Sequence, residues 1–164
     1  MSRGEPLTDA DRAPWLVDVR RTALKVAESD SQDGWAGVVV ACSALKARYR
    51  EVLRGECSEL DLSDRPPPPS KWRTLFVHPV GPREVLQERM MRRNSHFMGA
   101  NMLTSQLEAL EDPSGTGEKD VVQIGVVGSV AGQVQTALEG LTGAGACQWC
   151  SPGKGNDVPS AVWG

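Results

Sequence analysis

The sequence predicts an α/β fold, a parallel sheet with helices on both faces, and three observations carry that reading. Short apolar runs of strand length recur along the chain without the polar alternation of a half-exposed sheet. Each is followed by a stretch whose apolar residues return at spacings of three and four, the period of a helix with one buried face. Strands that alternate with helices in this way build a parallel sheet rather than a hairpin-based one.

The elements follow in order. Thr8-Asp9-Ala10-Asp11 offers a capping-box-like helix start. Pro14 suits the first turn of that helix, where its missing N–H costs nothing. Leu16, Val19, Ala23 and Val26 form its apolar face, with Trp15 expected in the core beside Leu16. Gly37-Val38-Val39-Val40-Ala41-Cys42 predicts a strand covered on both faces, with Cys42 as a buried thiol. Ser43 is placed to cap the next helix, whose stripe is Leu45, Tyr49, Val52 and Leu53 and whose C-terminal cap is Gly55.

Residues 56–71 carry Pro66-Pro67-Pro68-Pro69 and read as an exposed, extended loop. Residues 74–78 predict a second strand. Pro82 opens a helix with Val85, Leu86 and Met90 on one side, and a further helix carries Met102, Leu103, Leu107 and Leu110. Residues 120–124 predict a third strand. Ser129 caps a last helix with Val130, Val134, Leu138 and Leu141 facing inward. Two regions result, a folded domain over residues 1–141 and a disordered tail over 142–164.

Composition narrows the classes. The chain has 164 residues, 40% hydrophobic and 24% charged, with a formal net charge of −3. Weak acidity offers no general attraction to nucleic acid or anionic lipid. No run approaches the roughly 18 apolar residues of a membrane span, and no apolar secretory leader opens the sequence. The four cysteines suggest no disulfide framework, so the expected location is cytoplasmic. Cys147-Gln148-Trp149-Cys150 lacks the second ligand pair that a zinc site normally needs, and reads as part of the tail.

Three local strings go further. Gly4-Glu5-Pro6-Leu7-Thr8-Asp9-Ala10-Asp11-Arg12-Ala13-Pro14-Trp15-Leu16 resembles the G-x-P-L-x-D-x-D-R-x-P-W-L signature of the gluconokinase (gluconate kinase) family. Cys42-Ser43-Ala44-Leu45-Lys46 with Tyr49-Arg50 resembles its C-S-A-L-K-x-x-Y-R string. Arg89 and Arg93, then His96-Phe97-Met98, Met102-Leu103, Ser105-Gln106 and Leu110-Glu111, resemble its R-x-x-x-R-x-x-H-F-M…L-x-S-Q…L-E stretch. Order and spacing agree from residue 1 to about 141.

The resemblance implies a P-loop kinase of the shikimate-kinase-like type. Such an enzyme moves the γ-phosphoryl of ATP, with Mg²⁺, to the 6-hydroxyl of D-gluconate and feeds the pentose phosphate route. Phosphoryl transfer asks mainly for positioning and charge stabilisation, so cationic side chains are the candidates. Arg89 and Arg93, four apart on one helical face, would be lid residues that steady phosphate charge; without the resemblance they would read as a solvated basic face. Arg12, Ser43, Lys46 and Arg50 are candidates to hold gluconate, with Ser43 otherwise a helix cap and Arg50 otherwise a surface residue. His96 either hydrogen-bonds substrate near the lid or orders the loop.

The resemblance also implies a P-loop of the G-x-x-x-x-G-K-[ST] type ahead of the matched stretch, together with the first two strands. The 164 residues contain no such string; Gly153-Lys154 has Gln148 and Gly155 at the other two required positions. In the family's 2-3-1-4-5 strand order the first strand is central. The strands at 38–42 and 74–78 would lose their shared neighbour, and must either pair directly or leave the chain poorly folded. Asn94-Ser95 and Ile124-Gly125 also depart from the family pattern, near the lid hinge and the adenine. Two functions follow as expectations. One is a gluconokinase, as a fragment or truncated isoform. The other is a non-catalytic gluconate-binding or regulatory partner, acting as a homodimer or paired with a full-length kinase.

Overall fold

The computed structural model of the chain describes residues 8–29, 37–56, 72–92 and 100–144. The expected proline-rich loop falls almost wholly outside them, as do the cysteine pair at 147 and 150 and most of the expected tail.

Helix α1 spans Asp9–Ser29. Its start is the capping box read from the sequence: the Asp11 amide donates to Thr8 Oγ1 at 3.2 Å and the Thr8 amide returns a bond to the Asp11 carboxylate at 3.0 Å. The helix therefore begins earlier than Pro14 suggested, and Pro14 lies inside it rather than in its first turn. Leu16, Val17, Arg20 and Ala27 are its buried residues. Trp15 is 47% exposed, contrary to its expected place in the core, and Val26 is also exposed. Leu16 and Val17 already span the buried face, and Trp15 stands about 100° beyond Leu16 on the side away from Val17.

Residues 37–41 are the main departure from expectation. They form no strand, and Val38, Val39 and Val40 are exposed, Val39 almost completely. A β-branched run supplies strand propensity, but a strand needs a neighbour to hydrogen-bond, and none lies alongside among the described residues. Direct pairing with the strand that follows does not occur.

Helix α2 spans Ala47–Arg54 and ends at Gly55 in the left-handed conformation (φ 82°), as its sequence position predicted. Its N-cap is Lys46 rather than Ser43. The first amide is capped from a distance, Ala47 donating to the Glu111 carboxylate at 2.7 Å. Leu16 and Val17 of α1 pack with Tyr49 and Val52 of α2, with Cys42 and Leu53 at the margin.

Strand β1 spans Phe76–Val80 and β2 spans Val121–Gly125, pairing in parallel with Phe76 opposite Val121 and Val80 opposite Gly125. Phe76 donates to Asp120 O at 2.9 Å, and Val126 donates to Val80 O at 2.8 Å. Alternate residues of β1 thus bond to β2, and Pro79 falls on the other edge, where its missing N–H removes no bond from this ladder. Between the strands lie α3, Arg83–Arg92, then α4, Ala100–Ala109, and the single turn α5, Pro113–Thr116. Helix α6, Val130–Gly143, is capped by the Ser129 side chain as read from the sequence, and takes in residues 142 and 143 of the expected tail.

The seating of α6 differs from its periodicity. Val130, Val134 and Leu138 are exposed, and only Leu141 of the expected face is half-buried. The contact runs instead through Gly140, where a Cβ would stand 2.3 Å from Val122 Cγ1. Only glycine permits so close an approach, and it turns the valine stripe away from β2.

Charge, more than apolar area, joins the α1–α2 pair to the strands. The Arg50 guanidinium, 2% exposed, meets Glu118 with Nη2–Oε1 at 2.6 Å and Nε–Oε2 at 2.8 Å. Its remaining donors bond the carbonyls of Ala44, Leu45 and Glu111 at 2.9–3.2 Å. Arg54 bridges Glu118 and Asp120 and stacks on Phe76 of β1, 4.8 Å from the ring centre. Arg20 of α1 reaches Leu53 O and Thr74. Removing one partner of a buried pair leaves the other charge uncompensated, which costs about 3–5 kcal/mol.

Glu118→Ala is therefore expected to lose about 3 kcal/mol or more of unfolding free energy in urea titration. Hydrogen bonding from Arg50 holds the Glu118 carboxyl down at about 2, against an ordinary value of 4.5. A carboxyl depressed in the fold contributes its full stability above pH 4.5 and loses it as pH falls through 2. The wild-type melting temperature should drop over that window, and Glu118→Ala should flatten the drop.

Candidate functional site

The N-termini of α1 and α2 converge. Thr8 as cap puts Asp9 in the first turn of α1, where the helix dipole favours an acid. The Leu16/Val17 contact with Tyr49 and Val52 then brings α2 alongside, and Lys46 and Tyr49 reach Asp9 from its first turn.

Lys46 Nζ lies 2.8 Å from each Asp9 carboxylate oxygen. The Tyr49 hydroxyl donates to the same carboxylate, and Arg48 Nη1 stands 3.5 Å away. Hydrogen bonds from Lys46 and then Tyr49 hold the Asp9 carboxyl below the ordinary carboxylate range. Burial, reinforced by the Asp9 bond, pushes the Tyr49 phenol up to about 12. Two cations flank the tyrosine ring, Arg12 at 6.0 Å and Lys46 at 5.7 Å from its centre. Cys42 is half-buried here; burial raises its thiol pKa while the charge of Arg12 opposes the rise.

Lys46 and Arg48 both reach the Asp9 carboxylate, Arg12 lies across the Tyr49 ring, and the Lys46 side chain is 28% exposed. Cations grouped at a partly desolvated surface can bind an anion, a sugar acid among them.

Of the residues singled out in the sequence, Arg12 and Lys46 are brought together around Tyr49. Ser43 is exposed on the segment leading to Lys46. Arg50 is not part of this cluster. Its five N–H donors all find protein acceptors, so the expectation that it holds substrate gives way to a structural role. Arg89, on α3, lies elsewhere and donates to the Val126 carbonyl just past β2, an oxygen that also accepts from Gln133 of α6. Arg93 and His96 lie outside the described residues. Sequence reasoning overlooked Asp9 and gave Tyr49 only a core role. The signal for Asp9 was the doubled acid of Asp9-Ala10-Asp11-Arg12: the cap uses Asp11, which leaves Asp9 free for another partner.

Comparison with known proteins supplies the context for this geometry. No family profile matches the chain. Among curated proteins it is similar to a gluconokinase of Gluconobacter oxydans, 41% identical over 116 residues that cover 69% of this chain and 53% of that protein. It is also similar to a probable gluconokinase of Mus musculus, 33% identical over 144 residues, 86% of this chain and 74% of that protein. Among solved structures, a gluconokinase from Sinorhizobium meliloti 1021 matches with a TM-score of 0.62 and 39% identity, over 87% of this chain and 67% of that one. The chain thus spans little more than half the length of the Gluconobacter oxydans relative and about three quarters of the Mus musculus one. With sequence and fold agreeing over most of its length, the chain belongs to the gluconokinase family.

Proposed function

We propose that these residues form the sugar-acid side and lid helix of a kinase that phosphorylates the 6-hydroxyl of D-gluconate. The observation that carries this reading is the partly exposed Lys46 ammonium, with Arg48 beside it and Arg12 across the Tyr49 ring, in a member of the gluconokinase family. Lys46 and Arg12 would draw in and orient the gluconate carboxylate, fixing which end of the sugar acid is left to react. Arg89, exposed on α3, is the lid cation of the same reading, with Arg93 and His96 following it in sequence.

ATP and Mg²⁺, which the family implies, do not fit the residues present. The 164 residues hold no G-x-x-x-x-G-K-[ST] string, and among the described residues no group of three or more His, Cys, Asp or Glu could hold a metal ion. A second reading, a non-catalytic gluconate-binding partner of a full-length kinase, rests on the same Lys46 cluster. A cytoplasmic setting belongs to both readings; among the described residues no helix is long and apolar enough to cross a membrane.

An assay of ATP-dependent 6-phosphogluconate formation tests the first reading. The 164 residues as they stand should show none, and a fusion to a gluconokinase P-loop segment should show it. Activity of the unfused chain would overturn the need for that segment; an inactive but folded fusion would leave the binding-partner reading. Within the fusion, Lys46→Met should raise the KM for gluconate about tenfold, the worth of one charge-assisted bond, while barely moving the melting temperature. Arg50→Met should do the reverse, because its partners are Glu118 and backbone carbonyls.

A further inference from the structure

The Asp9 carboxylate has no part in the sugar-acid reading so far, yet Lys46, Tyr49 and Arg48 are arranged about it. Asp9 engages Lys46 through both oxygens, with Nζ equidistant at 2.8 Å, and accepts from the nearly buried Tyr49 hydroxyl. Tyr49 is itself fixed by packing against Leu16, Val17 and Val52. The chain of contacts runs from core to phenol to carboxylate to ammonium.

A lysine side chain ends in a flexible four-carbon stem with three donors, and immobilising it for a ligand costs rotamer entropy. Lys46 escapes most of that cost at the moment of binding. Its backbone is set as the N-cap of α2, and its ammonium is already held by Asp9. Lys46 remains 28% exposed, so its outer face is open to an approaching carboxylate. Arg48, 3.5 Å from the same carboxylate, offsets part of the charge of Asp9, which would otherwise repel that ligand.

We propose that Asp9 is a positioning residue for gluconate recognition, holding the Lys46 ammonium against Tyr49 so that it meets the substrate carboxylate pre-oriented. The proposal rests on the sugar-acid reading of Lys46. Asp9 does not touch the substrate; it acts through the lysine, and its contribution is affinity for the sugar acid.

The test is calorimetric titration of the 164-residue chain with D-gluconate, beside thermal melting of each variant. Asp9→Asn is expected to weaken binding on the order of tenfold, the worth of one charge-assisted bond. Asp9→Glu, which restores the charge on a longer stem, should recover a large part of that loss. Tyr49→Phe should give a smaller loss, since it frees only one side of the carboxylate. Lys46→Met serves as the reference for the sugar-acid reading. If Lys46→Met weakens binding while Asp9→Asn binds like wild type, the positioning role is overturned and the sugar-acid reading stands. If Lys46→Met binds like wild type, both fall together. A clamp that merely ties α1 to α2 would lower the melting temperature of Asp9→Asn and Asp9→Glu alike without restoring affinity in the latter, and that pattern also overturns the proposal.

Discussion

The arrangement of this chain depends on one buried guanidinium. Arg50 sits on α2 with every N–H donor satisfied: Glu118 takes one flank, and the carbonyls of Ala44, Leu45 and Glu111 take the rest. Those acceptors come from the segment before α2, the turn after α4 and the approach to β2, which are otherwise joined by little apolar contact. A hydrophobic interface could hold them, but it would tolerate sliding. A planar fork facing fixed acceptors does not, because each displaced donor would be left buried and unpaired. Arg54 extends the device by one turn, clamping Glu118 and Asp120 and stacking on Phe76, so that α2 is tied to the beginning of both strands.

What the sequence revealed and what it concealed divide along the same line. Features decided within a few residues were legible. Thr8 with Asp11, Gly55 and Ser129 each solve a local problem of unpaired helix-end groups, and each takes its expected part. The 120–124 run became β2, displaced by one residue, and the 74–78 run became β1, displaced by two. Features that need a distant partner were not legible. Residues 37–42 have strand composition and no strand beside them among those described. Ser43 looked like a cap, while the true capping acid, Glu111, lies far along the chain. The valines of α6 have helical spacing, yet the close approach at Gly140 decides which side meets the sheet.

The candidate site was legible in the same partial way. Family strings pointed to Arg12, Lys46 and Arg50, with Lys46 ahead of Arg50 because it follows the expected strand end at Cys42-Ser43, and Arg12 level with Lys46. The fold separates Lys46 from Arg50 further, by what each already holds. Arg50 has spent every donor on the protein, whereas Lys46 lies partly exposed against one carboxylate with two further cations nearby. Asp9 and Glu118 are both acids gripped by basic residues, and the contrast between them is instructive. Around Glu118 the acids and bases balance, with Arg50 and Arg54 facing Glu118 and Asp120. Around Asp9 the pairing is more open, with Lys46 and Arg48 sharing one partly exposed carboxylate.

Lys46 connects the structural hub to the binding surface. Lys46 is the N-cap of the helix that carries Arg50, and the residues just before it, Ala44 and Leu45, give their carbonyls to the Arg50 fork. Glu111 closes the frame from the other side: it caps Ala47 through its side chain, donates its amide to Leu45 O and offers its own carbonyl to Arg50. The backbone of Lys46 is therefore held on both sides by groups distant in sequence, and its ammonium is held by Asp9. A flexible residue becomes a fixed charge only when both ends are constrained, and here the two constraints come from separate networks. Loss of the hub would release the backbone end and loosen the fold with it. Loss of Asp9 would release the ammonium and the Tyr49 hydroxyl and leave the Arg50 frame standing. Recognition and stability can thus be separated in this fold, even though both are built from arginine, lysine and carboxylate.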